Sequence, residues 1–81
     1  MNTITEEELK MHNTKEDLWV AVNGYVYDVT NFIQNHPGSE KPFLFYAGAD
    51  ASIGFNYTHP HIKISQIESV TLIGELAIIV D

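Results

Sequence analysis

Cysteine is absent from the 81 residues. No disulfide can therefore staple the fold, and no thiolate can hold a metal or cluster. Arginine is absent as well, and four lysines stand against eleven acids, for a net charge of −7. So acidic a chain repels phosphate backbones, which argues against nucleic acid as a partner. The same charge steers basic partners in a salt-dependent way, or does no more than keep the chain soluble. Long apolar runs are also missing, and none nears the roughly 20 residues that cross a bilayer. No membrane span is expected. Residues 1–10 (MNTITEEELK) are acidic and carry no apolar centre, unlike a secretory leader. The expectation is a soluble, cytoplasmic protein, and an anchor following Asp81 is compatible with that. No repeat or low-complexity tract is apparent.

What is present is globular. Hydrophobic residues make up 44% of the chain and aromatics 11%, a composition that folds rather than stays disordered. The length fits one domain, 1–81, acting as a monomer. A chain this short buries only about 60% of its extended surface and is marginal without a staple. With disulfides excluded, the staple is histidine ligation, a bound cofactor or self-association. The four histidines, His12, His36, His59 and His61, thereby gain weight.

Thr5 before Glu6, Glu7 and Glu8 reads as a helix N-cap with acids at the positive end of the dipole. That helix runs through Leu9 and Met11 and stops near His12-Asn13. His12, at its C-terminal end, reads as a dipole-favoured cation and not a ligand. Asn23-Gly24 between two β-prone runs is a strong hairpin signal, predicting strands at 18–22 and 25–29. Thr30 is expected to cap a short helix carrying Phe32 and Ile33 and ended by Pro37-Gly38. A further helix is expected from Ser39, with Pro42 in its first turn, ending near Ala47-Gly48. Asp50 or Ser52 caps another that holds Ile53 and Phe55, and Pro60 breaks the pattern after His59. Ile64, Ile67 and Val70 follow helical spacing. The β-branched end, 71–80, reads as a strand interrupted near Gly74. Helix, hairpin, short helices and closing strand make an α+β arrangement.

His36-Pro37-Gly38 sets a histidine on a tight turn between two helices, a weak signal alone. Taken with its neighbours it becomes specific. DLWVAVNGYVYDVTNFIQNHPG, then AGADAS, then a histidine four places after Phe55, then IGEL resemble the cytochrome b5 family in order and spacing, from about Thr5 to Leu76. The resemblance implies a small mixed β-sheet with short helices forming a haem pocket. His36 matches the family's first axial ligand. His59, 23 positions on, matches the second at a spacing seen in members fused to flavin or molybdenum domains. Val29, Phe32, Phe43 and Phe55 match pocket positions, with Ile67 and Leu72 on the far wall. Trp19, Tyr27 and Asp28 match a second core beneath the pocket. Three positions depart from the pattern: Ser39 stands where the turn has glycine, Pro60 where many members have a hydroxyl, and His61 is an additional histidine.

On this resemblance the cofactor is haem b (iron protoporphyrin IX), with His36 and His59 on the iron and no catalytic residue. Two axial imidazoles leave no open site, so the implied function is electron carriage and not an enzyme reaction. The implied partners are a flavin-dependent reductase and an electron-accepting oxidase or desaturase-type protein. A binding module for haem or a lipid-like ligand, without electron shuttling, is the alternative. A zinc site from His36, His59, His61 and a carboxylate is a third reading.

Overall fold

The computed structural model describes residues 2–36 and 40–78, with backbone alone at Glu40. The element order is β1 (Thr3–Ile4), α1 (Glu6–Lys10), β2 (Asn13–Thr14), β3 (Asp17–Val22), β4 (Tyr25–Asp28), α2 (Thr30–Asn35), α3 (Glu40–Phe45), α4 (Ser52–Thr58), a 3-10 turn (Ile64–Gln66) and β5 (Thr71–Leu76). The strands form one sheet in the order β1-β5-β4-β3-β2. Of these strand pairs, only β1–β5 is parallel.

Alternation along β3 separates two cores. Leu18, Val20 and Val22 face one side with Tyr27, Val29, Ile33, Ala51, Phe55 and Ile64. Ala21 faces the other with Ile4, Leu9 and Val26, beneath Trp19, Ile73 and Leu76. A strand's period of two makes this division possible. The first core carries α2, α3 and α4, so the helices bearing the candidate residues all stand on one side of the sheet. Burial there, with neighbouring Tyr25 as a lesser cause, raises the Tyr27 phenol above its usual pKa of 10.0.

The hairpin forms as expected, with Asn23 at φ 54° and Gly24 at φ 89°, the two left-handed residues of its turn. Thr5 caps α1 by accepting the Glu8 N–H at 3.0 Å. Gly74 is required for another reason. A Cβ there would collide with the Asn2 carbonyl, which accepts the Glu75 N–H at 2.8 Å and so ties β1 to β5.

Several expectations need correction. Thr30 is the first residue of α2 rather than its cap, because Asp28 Oδ1 accepts the Thr30 N–H at 2.9 Å. Helix α2 ends at Asn35 with His36 as its C-cap; Pro37, Gly38 and Ser39 lie outside the described residues. Ile64, Ile67 and Val70 do not share a helix: the chain makes only a 3-10 turn and re-extends at Ile67. The last strand stops at Leu76, and the remainder of the expected run, from position 79 on, lies outside the described residues. Its irregularity is a bulge in which Ile73 is the extra residue, since Tyr27 faces Leu72 and Val26 faces Gly74. Two-residue β1 and β2 were too short to leave a periodic signal.

Candidate functional site

Both candidate ligands sit at helix C-caps. His36 follows α2 with φ −129° and ψ 74°, and His59 follows α4 with φ −132° and ψ 66°. Each helix thus releases its histidine through nearly the same backbone turn. Each imidazole also rests on the phenylalanine four residues before it. The ring centroids are 4.5 Å apart for Phe32–His36 and 5.5 Å for Phe55–His59. Side chains four apart on a helix meet, so each phenylalanine props its histidine.

The helix starts match too. Asp28 Oδ1 accepts both the N–H and the hydroxyl of Thr30, and Asp50 Oδ1 does the same for Ser52. The Thr30 hydroxyl accepts the Leu18 N–H at 2.9 Å, and the Ser52 hydroxyl accepts the Asn23 N–H at 2.7 Å. Those two amides bracket β3, so α2 and α4 hang from opposite ends of one strand. The signal was in the sequence: Asp-x-Thr/Ser followed by Phe-x-x-x-His occurs twice, at 28–36 and 50–59. Looking for long repeats passes over so short a pair.

Most of the other candidate pocket residues lie in or on the first core. Val29 and Phe55 belong to the first core, while Phe32, Phe43 and Ile67 pack on it half-buried. Phe43 meets Phe32 edge-on at 5.3 Å. Leu44, Tyr46, Ala47 and Val70 join this half-buried layer and were not singled out as site residues. Leu72 does not join it: it lies opposite Tyr27 on β5 and is 44% exposed.

The other histidines separate from the site. His12 stacks flat on Trp19, with centroids 3.5 Å apart and planes 6° apart. Its Nδ1 lies 2.8 Å from both carboxylate oxygens of Asp17, so the ring is held on the opposite side of the sheet, against the second core. His61 is exposed in a turn closed by the Ile62 N–H donating to the His59 carbonyl at 3.3 Å. Among the described residues, no three His, Cys, Asp or Glu side chains gather as a metal site, which a zinc centre needs.

The donor set suits haem. Two imidazoles stand at the ends of separate helices, and the hydrophobic side chains half-buried on the first core are aromatic and aliphatic. An apolar macrocycle needs such walls, and an iron centre needs such axial nitrogens. Among the described residues, no helix is long and apolar enough to cross a membrane.

Comparison with known proteins agrees with this geometry. The chain is 40% identical over 75 residues to mouse (Mus musculus) cytochrome b5 reductase 4, covering 93% of this chain and 14% of that protein. It is 51% identical over 57 residues to the L-lactate dehydrogenase (cytochrome) of Wickerhamomyces anomalus, covering 70% of this chain and 10% of the relative. The chain therefore spans about a seventh or less of these curated relatives. Among solved structures, the cytochrome b5 of Ostreococcus tauri virus 2 superposes with a TM-score of 0.76 at 36% identity, covering 90% of this chain and 94% of that one. The family described as the cytochrome b5-like heme/steroid binding domain matches residues 5–77, and the chain belongs to it.

Proposed function

We propose that this domain carries one electron at a haem b held between His36 and His59. The carrying observation is the matched pair of helix ends, each delivering an imidazole propped on a phenylalanine. Bound haem supplies an iron that alternates between ferric and ferrous states. His36 and His59 would hold that iron through their imidazole nitrogens, so that oxygen or substrate would find no free site on it. Phe32, Phe43, Phe55 and Ile67 would wall the macrocycle and keep water off it, which with the axial ligands tunes the potential. Val29 backs this wall from within the core. Leu72, outside the half-buried layer and 44% exposed on β5, would face the far side of the haem.

Two relatives bear the names of a reductase and a dehydrogenase, which supports a flavin-dependent reductase as donor. An oxidase or desaturase-type protein is the matching acceptor. The net charge of −7 would draw a basic partner more strongly at low salt.

An absorption spectrum of the haem-loaded protein tests this reading. The expected result is sharp low-spin bands that shift on reduction and do not change when carbon monoxide is added. A five-coordinate spectrum that takes up carbon monoxide would favour a binding module without electron shuttling, a use to which the family's steroid-binding description points.

A further inference from the structure

Helix α4 buries only one side chain, Phe55. Its other apolar contact is Gly54 against the Tyr46 ring, and a glycine has no side chain to resist a roll. The matching helix α2 also buries one side chain, Ile33, but Phe32 beside it lies half-buried and edge-on against Phe43, a second apolar side-chain contact. In α4 the residue after Phe55 is Asn56, exposed to solvent. Its amide nitrogen donates to Asn23 Oδ1 at 2.7 Å, and the Asn23 amide donates back to Asn56 Oδ1 at 3.2 Å. The Asn23 main-chain N–H also donates to Ser52. Asn23 is a firm point of attachment, because the left-handed hairpin turn fixes its backbone.

Ser52, Asn56 and His59 stand at i, i+4 and i+7, on one stripe of a helix. Two of the three are tied to Asn23. Two attachment points on one stripe set both the rotation of α4 and its slide along β3, and the third member of the stripe is the histidine. We infer that Asn23 and Asn56 are positioning residues for His59: their reciprocal amide pair fixes the direction in which α4 presents that imidazole. The inference rests on His59 being a haem ligand.

The test compares Asn56→Ala and Asn56→Asp with the parent in the haem-loaded protein. Asn56→Asp keeps an acceptor for the Asn23 amide and loses the donor, so it should fall between the other two. Asn56→Ala should release haem to apomyoglobin roughly tenfold faster, the equivalent of two neutral hydrogen bonds. It should also broaden the low-spin electron paramagnetic resonance signal as the His59 ring spreads over several orientations. Thr5→Ala removes a cap on α1, remote from the site, and serves as a control for lost stability alone. It should lower the melting temperature and leave both readouts unchanged. Parental haem release and resonance in Asn56→Ala would overturn the inference, as would equal changes in Thr5→Ala. Amide exchange in the haem-free protein reads the bracket independently. Asn56→Ala should speed exchange of the His59 N–H, which donates to the Phe55 carbonyl at 2.8 Å, and leave Ile33 unaffected. A colourless parent protein would defeat the haem reading while this exchange result still reported on the bracket.

Discussion

Helix α2 leaves β4 through Asp28 and Thr30, and α4 leaves the turn after Gly48 through Asp50 and Ser52. Both then run to a phenylalanine and a C-cap histidine. The two arms share their ends and differ in their middles. Helix α2 buries Ile33 and leans Phe32 on Phe43 of α3. Helix α4 buries Phe55 alone and binds the hairpin turn through polar groups. One arm is thus held by apolar packing against its neighbours. The other adds to buried Phe55 a set of directional bonds to a rigid turn. Apolar contacts tolerate small rotations, whereas hydrogen bonds weaken steeply off-axis, so the second arm depends on a few specific atoms.

The largest expected effects lie at the histidines. If the arms are equivalent in function, His36→Ala and His59→Ala should each abolish the six-coordinate spectrum, leaving five-coordinate or lost haem. His61→Ala should retain it, because His61 stands past Pro60 in an exposed turn. Retention in His59→Ala with loss in His61→Ala would reassign the second ligand and break the comparison at its root.

The props should come next. Phe55 is 9% exposed within the first core, while Phe32 is only half-buried at its edge. Removing a buried phenylalanine costs about 3–5 kcal/mol, through lost transfer energy and the cavity left behind. Phe55→Ala should fall in that range by urea unfolding of the haem-free protein, and Phe32→Ala well below it. Equal losses would mean that Phe43 and Ile33 do not share the load on α2 as the packing indicates.

This contrast also shows how much could be read in advance. The hairpin, the α1 cap and the order of elements were legible because each rests on local chemistry: an Asn-Gly turn, a threonine before three acids, alternating apolar residues. The two histidines and their phenylalanines were legible through family spacing and the helical interval of four. The half-buried layer of Leu44, Tyr46, Ala47 and Val70 was not, because nothing in a single run of sequence says which apolar residues stop short of full burial. Strands β1 and β2 exist only through partners distant along the chain or too short to show a period. Leu72 was placed with the wall by family position, yet the Ile73 bulge and the end of the sheet leave it 44% exposed. The bond from Asn23 to Asn56 crosses 33 positions, and no local pattern reports on a contact at that range.

The smallest effects concern the two hydroxyl hooks, and they sharpen the comparison most. Thr30 and Ser52 perform the same operation, each accepting an amide from one end of β3 and donating to an aspartate two residues before it. Their surroundings differ. The Thr30 hook is partly buried and takes the N–H of Leu18, a fully buried residue. Ser52 is also half-buried, but its hook takes the N–H of Asn23, an exposed residue of the hairpin turn, so the bond itself is reached by water. A donor stranded away from water bears its full desolvation penalty, about 1–3 kcal/mol, whereas one that water can reach loses about 0.5–1.5 kcal/mol. Thr30→Val should therefore destabilise the fold more than Ser52→Ala in equilibrium urea unfolding. Haem affinity should respond in the opposite order, because Ile33 and Phe43 still hold α2 by side-chain packing after its hook is lost, while α4 keeps Phe55, the Gly54–Tyr46 contact and the exposed Asn23–Asn56 pair. A variant pair in which stability and haem affinity changed in the same order would show that the arms are anchored alike, despite their different middles.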